Sequence, residues 1–377
     1  MIRRNLLLTL SAMLLSASVL AQGITLPPSG DNQKASVSQH IGPVVVTIDY
    51  SSPDVHAPNG ADRRGKIWGG LVPYGMVSLG IGTCGDQCPW RVGANENTVL
   101  SVTHDVLVEG RPLPAGRYGV HMIAQEGDWT LILSRDADSW GSYYYDAAND
   151  ALRVPVTPAK SEYHEWLTWE FTDRRPDRAT VALQWEDLQI PFTIAVPEIA
   201  EAYLGEIRKD LRGMAGFNWQ NRIAAAQYAL RVKSLDEALS WAQTAVDGTF
   251  VGRENFQTLS TLADAQEAKG MTEAAAATRR RALGHATATA GDLHQYARRL
   301  IGAGKGVEAV AVAQLAGRRF REEWPVNVTL ARAYSAAGRY RDALRHAKRA
   351  LGQAPDDMNR RSLQEAVAKL ERGEDIN

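Results

Sequence analysis

The chain has 377 residues, of which 45% are apolar, with 42 Lys and Arg against 43 Asp and Glu and a formal charge of −1. That length and apolar content support two or three domains, each large enough to bury a core. The near-neutral charge argues against a nucleic-acid binder, and beyond the first twenty or so residues no apolar run is long enough to span a bilayer.

The chain opens with Arg3 and Arg4, followed by an apolar run from Leu6 to Leu20 that ends in small residues at Val19 and Ala21. This is the layout of a secretory signal covering residues 1–21 and cut after Ala21. Ordinary secretion is expected rather than the twin-arginine route, and no cysteine follows to carry a lipid. The mature protein is expected in the periplasm or outside the cell, after a linker over 22–34. Gln22 to Pro197 carries 13 Lys and Arg against 21 Asp and Glu, while Glu198 to Asn377 carries 27 against 22. The texture changes at the same place, near Pro191 and Pro197, which divides a strand-like half from an Ala-, Leu- and Arg-rich half.

From 35 to 197 the text reads as short strands. Val44, Val46, Ile48 and Tyr50 alternate with Val45, Thr47 and Asp49, the period of a half-buried strand. Further runs are "VTHDVLVEGRPLPAGRYGVHMIA", with a turn at Glu109 to Arg111, then "DWTLILS", "SYYYD", "ALRVPV", "HEWLTWEFT" and "ATVALQWEDLQIPFTIAV". Eight or nine such strands without intervening helices predict an all-β antiparallel sandwich, jelly-roll-like, and exclude a parallel α/β fold. Trp166, Trp169 and Trp185 read as core.

The only cysteines, Cys84 and Cys88, stand four apart in "TCGDQCPW". In an oxidising compartment a small disulfide loop is expected, with Gly85 supplying flexibility; two thiols with no nearby His do not complete a zinc site. The loop "PWRVGANENT" sets Asn95, Glu96 and Asn97 beside Trp90 and Arg91. Turn chemistry accounts for the two asparagines, whereas Glu96 is poor turn material. Trp90, Arg91, Asn95, Glu96 and Asn97, with His121 as a neighbour, are therefore the candidate ligand pocket, suited to a sugar or a hard cation. The histidines lack metal spacing, and no GxSxG, P-loop or HExxH occurs. Accordingly no catalytic residue, metal or cofactor is assigned.

"GKIWGGLVPYG", "PWRVGANENT", "LPAGRYGVHMI", "WTLILS", "SWGSYYYD", "RVPV" and "EWLTWEFTD" occur in order between about Ala35 and Val196. Together they resemble the bacterial family known as domain of unknown function number 2911, with extra residues between Gly75 and Pro89 where the cysteines lie. The resemblance implies export and a β domain, and supplies no catalytic residue.

Residues 198–218 predict a connecting helix. Over 219–355 three alanine columns recur: Ala226, Ala263, Ala297 and Ala331; Ala238, Ala275, Ala309 and Ala343; Ala245, Ala282, Ala316 and Ala350. Successive rows are 37, 34 and 34 residues apart, and within every row the columns are 12 and 7 residues apart. Small residues at fixed spacing are what tightly crossing helix hairpins require. The period, with Gly338, Tyr340, Ala343 and Pro355, resembles the tetratricopeptide repeat. An all-α solenoid of about four repeats is predicted, with the three extra residues lengthening one loop and 356–377 forming a capping helix and tail. The resemblance implies a groove for a protein or peptide partner, for which Asn255, Arg298, Asn327 and Arg332 are the candidate lining residues. The favoured function is an exported, non-enzymatic binding or scaffold protein; an envelope enzyme or carbohydrate-binding module built on the "WRVGANENT" loop is the alternative. The oligomeric state stays open.

Overall fold

The computed structural model describes residues 30, 32–321 and 324–377; the expected signal segment and most of the 22–34 linker lie outside them. The chain forms two compact units with their boundary between Ala202 and Tyr203.

Among its described residues the first unit holds ten strands: β1 (Gln33–Ile41), β2 (Val44–Ser52), β3 (Thr98–Val102), β4 (Val106–Val108), β5 (Arg111–Leu113), β6 (Gly116–Ile123), β7 (Trp129–Ser134), β8 (Asp150–Val156), β9 (Ala159–Arg174) and β10 (Arg178–Ala195). They pair antiparallel in two sheets, β1-β2-β3-β6-β7-β8 and β5-β4-β10-β9. Val46, Ile48, Leu100 and Leu131 from the first sheet and Leu167, Leu183 and Phe192 from the second share one buried cluster, which makes the unit a sandwich. The alternation expected in β2 is present, with Val44, Val46, Ile48 and Tyr50 inward. The β4–β5 hairpin turns through Glu109 (φ 47°) and Gly110 (φ 73°), the two left-handed residues a type I′ turn requires.

Three strand readings need revision. β1 is an edge strand whose polar alternation hid it, because apart from Ile41 at its end only the small, partly buried Ala35 and Val37 face the core. "SYYYD" is a series of turns rather than a strand. Gly141 stands at φ 57°, and the Tyr143 carbonyl accepts from the N–H groups of Thr83 (2.8 Å) and Cys84 (3.2 Å), so its backbone serves the cysteine loop. Trp166 is 60% exposed while Trp169 is 2% exposed. They lie three apart in one strand, and the pleat sends such residues to opposite faces.

Between β2 and β3 the chain runs from 53 to 97 without a regular element, yet it is firmly held. Val55, Ile67 and Val72 plug into the core. The Arg63 guanidinium donates to the carbonyls of Val55 (3.0 Å) and Asp54 (2.7 Å), and at a bulge in β10 the buried Glu186 carboxylate accepts from the Gly65 N–H.

The second unit follows α1 (Ile199–Asp210), in which the boundary falls. Its hairpins are α2 (Trp219–Arg231) with α3 (Leu235–Asp247), α4 (Phe256–Ala268) with α5 (Thr272–Gly284), α6 (Ala290–Gly302) with α7 (Gly306–Arg319), and α8 (Trp324–Ala336) with α9 (Tyr340–Gly352), closed by α10 (Asp357–Glu371). All twelve column alanines are buried, the most open being Ala275 at 7%. The three extra residues do lengthen a loop, 248–255 against 285–289 in the next repeat. A further column was not read from the sequence. Gly270, Gly304 and Gly338 stand at φ 75°, 73° and 71°, each ending the first helix of a hairpin, and Lys233 (φ 64°) takes that place in the first repeat.

An added side chain at a column position has nowhere to go. Ala309→Leu is expected to destabilise the protein by about 1–3 kcal/mol in urea unfolding, whereas Ala276→Leu, on the exposed face of α5, stays within about 0.5 kcal/mol. Equal effects would contradict the packing.

Candidate functional site

In the first unit the loop Pro89–Thr98 is anchored at both ends. Trp90 exchanges two backbone hydrogen bonds of 2.9 Å with Met122, and Thr98 Oγ1 donates to the Val92 carbonyl at 2.8 Å. Val92 (φ 56°) and Asn95 (φ 57°) are left-handed, a conformation that a β-branched Val adopts only under constraint. The constraint is visible, since Val92 is fully buried. Arg91 donates to the Asn95 carbonyl (3.0 Å) and lies over the Tyr143 ring at 5.3 Å.

Trp90, Arg91 and Asn95 line a cleft of about 520 Å³, a usual size for a small-molecule site, together with Arg63, Trp140 and Tyr143. Its floor belongs to a tryptophan quartet: Trp90 and Trp185 are near-parallel with ring centres 6.3 Å apart, and Trp68 meets both edge-on, while Trp129 meets Trp68 and Trp90 edge-on. Cys84 and Cys88 are disulfide-bonded, with Cys88 in the cleft wall.

The other three candidates point elsewhere. Glu96 pairs with Lys34 at 3.1 Å and accepts from Ser51 Oγ in a separate shallow recess that Asp49 also lines. Burial pushes its carboxyl up, but its own backbone N–H, Lys34 and Ser51 outweigh that and hold it below the usual range. Asn97 is buried and donates to the Asp136 carbonyl (3.3 Å), an approach that Gly119 permits because a Cβ there would lie 2.4 Å from that oxygen. His121, at 2% exposure, bonds through Nδ1 to Ser142 Oγ (2.9 Å) and meets the Tyr145 ring edge-on. Burial lowers its pKa to about 4, so it is neutral near pH 7. Thus the structure does not bring Glu96 and His121 into one bonded arrangement. Among the described residues no three His, Cys, Asp or Glu side chains gather as a metal set.

In the second unit two of the four groove candidates are structural. Asn255 caps α4, its carboxamide oxygen accepting from the N–H groups of Gln257 and Thr258. Asn327 is buried, donating to Gln353 Oε1 (2.9 Å) and bonding His346 Nδ1 (3.0 Å). Arg298 and Arg332 do converge. They occupy the same position of consecutive repeats, and with His294, Pro325, Val328 and Ile376 they line a pocket of about 190 Å³.

Neither guanidinium makes a hydrogen bond or an ion pair among the described residues. Burial lowers the Arg332 pKa and Arg298 lowers it further, while Asp375 opposes. His294 is lowered by burial and by both arginines. One helical position away the situation is reversed, since Arg279 and Arg299 both pair with Asp264 and both lie over the Tyr296 ring at 5.1 Å. His294, one turn before Arg298, and the cleft residues Trp140 and Tyr143 were not singled out from sequence. The helical spacing exposes the first; nothing local marks the other two.

The His121 environment has a sign that can be measured. Its folded pKa lies below the ordinary 6.5, so its contribution to stability is complete above pH 6.5 and is lost as pH falls through about 4. Denaturant unfolding from pH 7 to 4 should show that decline, and His121→Asn should flatten it. An unchanged slope in the variant would contradict the buried neutral imidazole.

A family comparison bears on the first unit of this chain. No curated protein matches it. Among solved structures, a tetratricopeptide repeat protein from Parabacteroides merdae ATCC 43184 is similar, at 17% identity over 46% of this chain and 68% of that one, with a TM-score of 0.31. Residues 32–194, which hold nearly all of the two-sheet unit, match the model of the family described as Protein of unknown function (DUF2911).

Proposed function

We propose that this is an exported binding protein whose helical repeats recruit a protein or peptide partner, with the two-sheet domain as its companion module. The observation that carries this reading is the Arg298–Arg332 pair. Two like charges side by side, one of them half-buried and neither answered by a carboxylate among the described residues, leave the site electrostatically incomplete there. Such a pair fits an anionic group arriving from another molecule. The stacked hairpins provide the extended surface on which repeat arrays engage partners.

Full-length protein should retain at least one envelope component that the Arg298→Gln, Arg332→Gln double variant releases, measured by quantitative mass spectrometry of captured proteins. Identical captures would contradict the reading. Export is checked in the same preparation, where the mature chain should begin at Gln22.

A second reading rests on the cleft of the first unit, where Trp140 is 48% exposed at the mouth above the tryptophan floor. A half-exposed indole beside guanidinium and amide groups suits a sugar ring. Neutral oligosaccharides should then shift the tryptophan fluorescence saturably, and Trp140→Ala should abolish the shift; no saturable shift in the native chain would remove this reading.

A further inference from the structure

After α10 the chain does not run off into solvent. Gly373 (φ 76°) ends the helix, the Glu374 N–H returns to the Lys369 carbonyl (3.0 Å), and the following residues fold back onto α8. Ser335 Oγ donates to Asp375 Oδ1 at 2.6 Å and accepts from the Ile376 N–H at 3.1 Å. Asn377 Nδ2 donates to the Arg332 carbonyl at 3.1 Å. Ile376 is half-buried and, like Val367, packs against the cluster that includes Leu370, and it forms part of the wall of the pocket holding Arg298 and Arg332.

This segment has the chemistry of a ligand placed short of its target. It puts an acid and an aliphatic residue beside a cationic pocket, but the Asp375 carboxylate is committed to Ser335 and to Asn377 of its own segment. It favours the Arg332 charge from a distance without an ion pair. Its hold on α8 consists of a few hydrogen bonds and one half-buried side chain, and Asp375 itself is exposed.

We propose that the groove between α6, α8 and α10 recognises an acidic residue followed by an aliphatic one in an extended partner segment, and that Asp375 and Ile376 are its internal competitor. The proposal rests on the reading of the array as partner-binding and names the partner's chemistry. The partner's aliphatic residue takes the place of Ile376, and its carboxylate reaches Arg298 and Arg332, which Asp375 does not. The two guanidinium charges, unpaired among the described residues, are what favour exchange. The neighbouring Arg279 and Arg299 already share Asp264 as a partner, which this pair lacks.

The test uses full-length protein and a labelled synthetic peptide, Arg-Gly-Glu-Asp-Ile-Asn, acetylated and amidated so that only side-chain charge is read. It copies residues 372–377. Binding is followed by fluorescence anisotropy. The Asp375→Ala, Ile376→Ala chain should bind the peptide about ten-fold more tightly than the native chain, a change equal to one charge-assisted hydrogen bond. In that opened background Arg298→Gln should weaken binding about ten-fold, as should a peptide with Asn for Asp. Raising salt from about 50 to about 500 mM should weaken it as well.

Ser335→Ala, which removes two of the segment's bonds to α8, serves as the opening variant should the double change impair folding. Arg298 is exposed, so its substitution leaves the stack intact. Equal affinity for native and opened chains, for Asp and Asn peptides, or with and without Arg298 overturns the proposal. Capture of a partner by the array together with no peptide binding also overturns it, while leaving the array reading in place.

Discussion

The second unit depends on one kind of contact, helix against helix with only a methyl group between. At Ala226, Ala263, Ala297 and Ala331, and again at the paired columns, backbones approach to a distance that no larger side chain allows, and exposure falls to nearly nothing. A contact of that sort fixes register as well as distance. Once Ala297 and Ala331 are locked, the residues that follow them, Arg298 and Arg332, are set side by side whether or not their charges agree. The apolar packing therefore imposes an electrostatic cost on one small region, and that region lines a pocket.

The first unit solves a different problem. Its two sheets bury a shared apolar face, but the long segment from 53 to 97 crosses the rim without helix or strand. It is held by side chains acting on backbone: Arg63 on two carbonyls, Glu186 on the Gly65 N–H, and Glu165 on the His56 N–H at 2.9 Å. The tryptophan quartet fills the space beneath. The result is a cleft whose walls are irregular yet held by side-chain-to-backbone hydrogen bonds, the usual way that a rigid sandwich carries a binding loop.

What was legible in the sequence follows the same physics. The alanine columns and the alternation in β2 were readable because burial there is set by local period. β1 was hidden because an edge strand needs little apolar surface, and "SYYYD" misled because aromatic content suggests a strand while Gly141 turns the chain. Trp166 and Trp169 were grouped as core, although three-residue spacing within a strand forbids it. At the candidate sites, residue type alone was a poor guide. Asn255 and Asn327 are as polar as a groove needs, but one caps a helix and the other closes a buried hydrogen-bond chain. Glu96 and His121 have the right chemistry for a site and are drawn to Lys34 and Ser142 instead. These outcomes turn on partners remote in sequence, which no local pattern encodes. The left-handed glycines at Gly270, Gly304 and Gly338 were in plain view at the repeat period, and their spacing is a cue as informative as the alanines.

A double-mutant cycle between Arg298 and Arg332, measured by urea unfolding at low salt, tests most directly whether packing register forces these charges together. The account predicts that Arg298→Gln and Arg332→Gln are coupled, the first neutralisation relieving repulsion that the second can no longer relieve, and that added salt erases the coupling. Additive effects within about 0.3 kcal/mol at low salt would contradict it.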